Sequence, residues 1–199
     1  MYILHLSDIH YRRELGCRKK ADQGPLDGTN KKHGGVDRAA GPDGYQAMLS
    51  AMQNPLVFLD DCLDRVAGDW ERIGLVVITG DLTEDGTAED YRCLKHHIRK
   101  RIGDIPLVVT LGNHDNKRNF REGWLEEDAD SPCGLKEIGS APYNTIRRLE
   151  DTAVISFDTS VQGVPDGRMD DSQAAWLESV LKAEGKGPSI LVTHHHLLP

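Results

Sequence analysis

Asp8, His10, Asp81, Asn113, His114, Asp115 and the run His194-His195-His196 are the side chains in this sequence that could do chemistry together. Each group stands just beyond a short apolar run. Tyr2-Ile3-Leu4-His5-Leu6 leads into Ser7-Asp8-Ile9-His10, and Gly74-Leu75-Val76-Val77-Ile78 leads into Thr79-Gly80-Asp81. Ile105-Pro106-Leu107-Val108-Val109-Thr110 leads into Leu111-Gly112-Asn113-His114-Asp115, and Ser189-Ile190-Leu191-Val192 leads into the histidine run. Carboxylates, imidazoles and an amide oxygen, without a thiolate, are ligands for Mn, Fe, Zn or Co, and the histidines argue against Mg or Ca alone. A carboxylate has two oxygens, so one Asp can bridge two cations about 3.5–4 Å apart. Asp81, a lone carboxylate on a tight turn, is the natural bridge. Asp8 and His10 then complete one ion's side, and Asn113 and His194 the other's.

Two ions held this way would draw a proton from a bridging water near neutral pH, and the resulting hydroxide attacks a phosphorus in line. His114 follows the ligand Asn113 and is placed to donate to the phosphate or the leaving oxygen. Asp115 either orients the His114 ring, as carboxylates behind a site often do, or is simply a turn residue. His195 is expected to line the site as a substrate contact, and Arg12, just past His10, to draw in an anionic substrate.

The elements that must position these groups follow from periodicity. Short β-branched runs read as buried strands, and ligands in open α/β sheets bind beyond the carboxyl ends of strands, so four such ends could pool their donors. His5, inside the first run, reads as a packed histidine rather than a ligand. Tyr45, Met48, Leu49 and Met52 recur at helical spacing, and Asn54-Pro55 opens a second helix carrying Leu56, Leu59, Leu63 and Val66. Ala88, Tyr91, Leu94, Ile98 and Ile102 form a third helical stripe, whose last turns hold His96, His97, Arg99, Lys100 and Arg101 as cations complementing the helix dipole. A short helix is expected over 116–125. Segments 143–149 and 152–158 flank Glu150-Asp151 as a hairpin. Asp170-x-x-Gln173 has the form of a capping box before a helix through Trp176, Leu177, Val180 and Leu181. Strand and helix alternate around one hairpin, which makes the chain α/β with a mixed sheet.

A length of 199 residues suits a single domain. No apolar stretch approaches the ~20 residues a membrane span needs, and the N-terminus goes straight into a strand, so the cytoplasm is the expected location. Cys17, Cys62, Cys93 and Cys133 are widely spaced and read as free thiols. A net charge of −8 argues against nucleic acid as a partner. Residues 11–42 carry eight basic and four acidic side chains, net +4, and read as a basic loop insertion. It is either a solvated insertion or a lid that attracts an anionic substrate.

These motifs carry a family resemblance over nearly the whole chain. Asp8-x-His10, Gly80-Asp81, Gly112-Asn113-His114-Asp115 and Thr193-His194-His195 resemble, in order, the ligand motifs of calcineurin-like metallophosphoesterases. Gly80-Asp81-Leu82-Thr83-x-x-Gly86 and Gly167-Arg168-Met169-Asp170-x-x-Gln173-x-x-Trp176-Leu177 resemble the branch containing class III cyclic-nucleotide phosphodiesterases. The resemblance implies an α/β/β/α sandwich, two divalent or trivalent metal ions, and hydrolysis of 3′,5′-cyclic nucleotides or similar phosphodiesters by a metal-bridging hydroxide. The family's further G-H-x-H motif has no counterpart here, so the expectation is a domain over 1–199 that is incomplete at its C-terminus and itself weakly active. A phosphomonoesterase, a nuclease of the same superfamily and a non-catalytic nucleotide-binding fragment are the alternatives. The partner expected is a small phosphate ester, with no membrane; a homodimer is left open.

Overall fold

The computed structural model describes residues 1–12, 55–127 and 141–196. The helix expected around Tyr45 to Met52 and nearly all of the basic loop lie outside the described residues. β1 (Tyr2–Ser7), β2 (Ile73–Thr79) and β3 (Leu107–Thr110) form a parallel sheet in the order β1-β2-β3. Ser7 pairs with Thr79 and Thr79 with Thr110, so the three strands end level. Their loops start side by side, and pairing continues past the strands as His10 N donates to Asp81 O at 2.9 Å and Tyr11 N to Leu82 O at 3.1 Å.

β2 is buried on both faces, as its unbroken apolar run requires. Val76 and Ile78 face α1 (Pro55–Arg65) and α2 (Ala88–Ile102), packing with Leu59, Leu63, Tyr91, Leu94 and Ile98. Leu75 and Val77 face a second sheet and pack with Val154 and Val192. α2 begins where the Thr87 side chain accepts from Asp90 N, and it ends at Gly103, whose φ of 61° suits a residue without a Cβ. His97 Nε2 lies 2.9 Å from Asp60 of α1, and Arg101 donates to the same carboxylate at 2.7 Å, so these basic residues join two helices. After β3, α3 (Lys117–Phe120) passes into a π-helical turn, Arg121–Leu125. A Cβ on Gly123 there would overlap the Ala88 carbonyl.

The second sheet has the order β4-β5-β6. β4 (Thr145–Leu149) and β5 (Thr152–Ser156) make the expected antiparallel hairpin, and β6 (Ser189–Val192) runs parallel to β5. α4 (Asp171–Glu184) starts with the capping box Asp170/Gln173 and stacks Trp176 on Phe157 at 6.2 Å. Helices, two sheets and a helix thus form the α/β sandwich that the motifs implied, with one parallel and one mixed sheet.

Two expectations need correction. Four strand ends do not share one sheet: three come from the first sheet, and the histidine run follows β6 of the second. His5 is not packed either. It is exposed on β1 and hydrogen-bonds Thr79 Oγ1 at 2.8 Å, because Ile3, His5 and Ser7 form an uncovered face of that edge strand. No helix among the described residues is long and apolar enough to cross a membrane.

Candidate metal centre

The turns beyond β1 and β2 bend through backbone conformations that side chains seldom adopt. Asp8, His10 and Asp81 have φ of 54°, 49° and 46°. Such strain persists only where surrounding structure enforces it, and it clusters at functional sites. Gly112 allows the third turn to press on the second, since a Cβ there would overlap Asp81 Oδ1. Gly80 does the same for the second sheet, because a Cβ at that position would strike the His194 ring.

Two groups of side chains result, each with ligand atoms within 4.8 Å of one another: His10, Asp81 and His114, and Asp8, Asp81 and His194. Asp81, 5% exposed, belongs to both. This pairing differs from the expected one: Asp8 groups with His194 across the sheets, while His10 groups with His114. Asn113 follows Gly112 on the same turn, and its carbonyl accepts from Gly163 N at 2.8 Å.

The hydrogen bonds decide which ring nitrogen faces the centre. His194 Nδ1 lies 2.8 Å from the Thr79 carbonyl, an acceptor only, so Nδ1 donates to it and Nε2 is the ring nitrogen turned toward the site. His10 Nδ1 donates in the same way to Glu84 Oε2 at 2.6 Å. Both Nε2 atoms then lie 3.6 Å from Asp81 Oδ2. The spacing is close to that of two ligands sharing one ion at bonds of about 2.1 Å. An imidazole oriented through its second nitrogen by a carboxylate or carbonyl is the usual arrangement of metal-binding histidines. The donor set therefore fits the expected cations.

Glu84 escaped the sequence reading. Its carboxylate binds His10, lies 3.5 Å from His114 Nδ1 and takes Arg12 Nη2 at 3.1 Å. Burial works against its charge, but the His10 hydrogen bond and the charges of His114, His10 and Arg12 outweigh it and hold the carboxyl below its usual range. The only sequence signal was a carboxylate three residues after Asp81. Arg12 meets Glu84 and, at 3.3 Å, Asp85, and lines the same cavity as Asp8 and His10.

Asp115 does not orient His114. It is fully buried and accepts from Gly112 N at 2.9 Å, Leu82 N at 3.1 Å, Thr83 N at 3.2 Å and Tyr91 Oη at 2.9 Å. Burial pushes its carboxyl up to about 6 against those four hydrogen bonds. It clamps the Asp81 turn to the Asn113 turn. His195 is 8% exposed, with Nδ1 2.9 Å from Thr159 Oγ1 and its ring edge-on to His194 at 4.7 Å. Its Nε2 has no partner among the described residues, and burial, with His194 beside it, holds this imidazole below its usual range. His196 is exposed.

Comparison with known proteins agrees with this geometry. A profile of the calcineurin-like phosphoesterase family matches residues 1–199. A glycerophosphodiester phosphodiesterase, GpdQ, of Enterobacter lignolyticus is 28% identical over 203 residues, covering all of this chain and 58% of that protein. A probable cyclic nucleotide phosphodiesterase of Rhodococcus erythropolis is 31% identical over 71% of this chain and 44% of its own length. The 3′,5′-cyclic adenosine monophosphate phosphodiesterase CpdA of Escherichia coli is 28% identical over 69% of this chain and 45% of its own. The chain thus spans about half the length of the curated relatives it matches. Since the family match runs through every one of the turns that gather around Asp81, this chain belongs to the calcineurin-like phosphoesterase family, in the branch of the class III phosphodiesterases.

Proposed function

We propose that this protein is a two-cation phosphodiesterase acting on small phosphodiesters, 3′,5′-cyclic nucleotides first among them, with Mn, Fe, Zn or Co as the metals. The observation that carries the reading is Asp81 Oδ2 standing 3.6 Å from the Nε2 atoms of both His10 and His194 while both Nδ1 atoms are engaged elsewhere. Asp81 would serve both ions, with Asp8 and His194 beside one, His10 beside the other, and Asn113 on the neighbouring turn. Bound there, the ions supply a nucleophile from water at neutral pH and offset the charge of the phosphate. His114 stands at the edge of the cluster, 37% exposed, where its ring can give a proton to the departing oxygen. Glu84, 3.5 Å from the His114 Nδ1, holds that edge of the ring, so the proton given would be one carried on Nε2. His195, edge-on to His194, lines the site on that side.

Glycerophosphodiesters are the second reading, supported by the name of the Enterobacter relative. The test is hydrolysis by the full-length protein, stripped with a chelator and reloaded with each metal. Substrates are cyclic AMP, a glycerophosphodiester, bis-p-nitrophenyl phosphate and p-nitrophenyl phosphate. The expected result is turnover of diesters only after reloading. Faster turnover of the monoester would reassign the reaction, and binding of cyclic AMP without product would make the protein a nucleotide-binding module.

A further inference from the structure

We propose that Lys117 and Asp158 are a positioning pair that sets His194, carried by the second sheet, against the carboxylates of the first. The inference rests on reading Asp8, Asp81 and His194 as one cation's ligands. The two groups around Asp81 differ in what carries them. His10, Asp81 and His114 all stand on turns of the parallel sheet, which the inter-turn hydrogen bonds and the Asp115 clamp fix to one another. Asp8, Asp81 and His194 straddle two sheets that share no ladder, so their spacing depends on how the sheets are fastened at this end.

Two neutral contacts cross directly, His194 Nδ1 to the Thr79 carbonyl at 2.8 Å and Ser156 Oγ to Val109 O at 2.7 Å, and beside them one corner carries a buried charge pair. Asp158 follows Phe157, whose N–H donates at 2.8 Å to the carbonyl of Val192, the last residue of β6 and two before His194. Lys117 is three residues past His114. Its Nζ donates to Asp158 Oδ2 at 2.7 Å, with the Asp158 side chain fully buried and that of Lys117 15% exposed. Tyr143 N supplies Oδ2 as well, and Ser160 N and Oγ supply Oδ1. Every acceptor position of the carboxylate is served, and its one compensating cation among the described residues is Lys117. The residues after Asp158 repeat the connection: Thr159 Oγ1 meets His195 Nδ1 at 2.9 Å, Asn116 Nδ2 donates to Gln162 Oε1 at 2.9 Å, and Gly163 N donates to Asn113 O at 2.8 Å. Loss of one neutral contact leaves no charge uncompensated, whereas loss of Lys117 leaves a buried carboxylate that must drag in solvent or shift its strand. A ligand shell tolerates displacements of only about 0.5 Å, so a small slip of β5 and β6 separates His194 from Asp81.

The test uses the full-length protein, stripped of metal and titrated with Mn²⁺ alone by calorimetry, with bound metal counted by elemental analysis and folding checked by circular dichroism. Wild type is expected to bind two ions. Lys117→Met is expected to weaken one of them by roughly 10-fold or more and leave the other unchanged, with Lys117→Arg restoring both. His194→Ala removes the ion that depends on the second sheet, and adding Lys117→Met to that variant is expected to change nothing further. Should Lys117→Met not fold, Ser160→Ala, which takes one hydrogen bond from Asp158, is expected to give a smaller loss at the same ion. Equal weakening of both ions, no weakening, or an undiminished loss in the His194→Ala background overturns the proposal. A wild type that does not bind two ions removes the proposed function and this inference with it.

Discussion

Glu84 shows how much of the centre depends on residues that are not themselves candidate ligands. One carboxylate holds the His10 ring with Nε2 inward, lies against His114 and neutralises Arg12. Glu84→Gln keeps the shape but loses the charge that favours those imidazole tautomers. It is expected to lower metal affinity and diester turnover by about 10–100-fold, read by Mn²⁺ titration beside a bis-p-nitrophenyl phosphate assay. Gly112→Ala acts by volume instead. Its methyl group would overlap Asp81 Oδ1, so the variant is expected to fold with reduced metal stoichiometry, measured by elemental analysis. The donor residues were readable in the sequence because their types and their places after apolar runs are local properties. Glu84 was not, since carboxylates on turns are common and only the packed loops show which imidazole one meets.

At the scale of elements, the Asp81 turn and the Asn113 turn behave as one body. Asp115 ties them through three backbone N–H groups, and Tyr91 of α2 joins the tie by donating to Asp115 and accepting from Asn116 N at 2.9 Å. Tyr91→Phe leaves a buried carboxylate one donor short and a backbone N–H without its acceptor. A destabilisation of about 1–3 kcal/mol is expected from urea unfolding. The strands, the α2 stripe, the hairpin and the Asp170/Gln173 capping box were legible because each is set by spacing within a few residues. The positive φ angles of Asp8, His10 and Asp81 were not. No side-chain pattern marks a strained turn that neighbouring turns enforce.

For the molecule as a whole, the contact between sheets is both core and scaffold. Leu75 is fully buried between them, and Leu75→Ala is expected to cost about 2–5 kcal/mol in urea unfolding. Cation binding works in the other direction. Metal at about a hundred times its Kd adds about 2.7 kcal/mol if only the folded chain binds it. A chelator is therefore expected to lower Tm, Mn²⁺ to restore it, and Asp81→Asn to abolish the shift, all measured by thermal melts.

The sequence by itself determined the donor types, the strand ends that carry them and the family, because ligand chemistry and short-range periodicity are written in neighbouring residues. Only the tertiary structure decided that the fourth motif arrives from a second sheet, that Asp8 groups with His194 and His10 with His114, and that Asp115 clamps backbone rather than a ring. Those outcomes depend on which face of one sheet meets the other, and that is settled by apolar side chains such as Leu75, Val77, Val154 and Val192, distant in sequence and packed in a single layer.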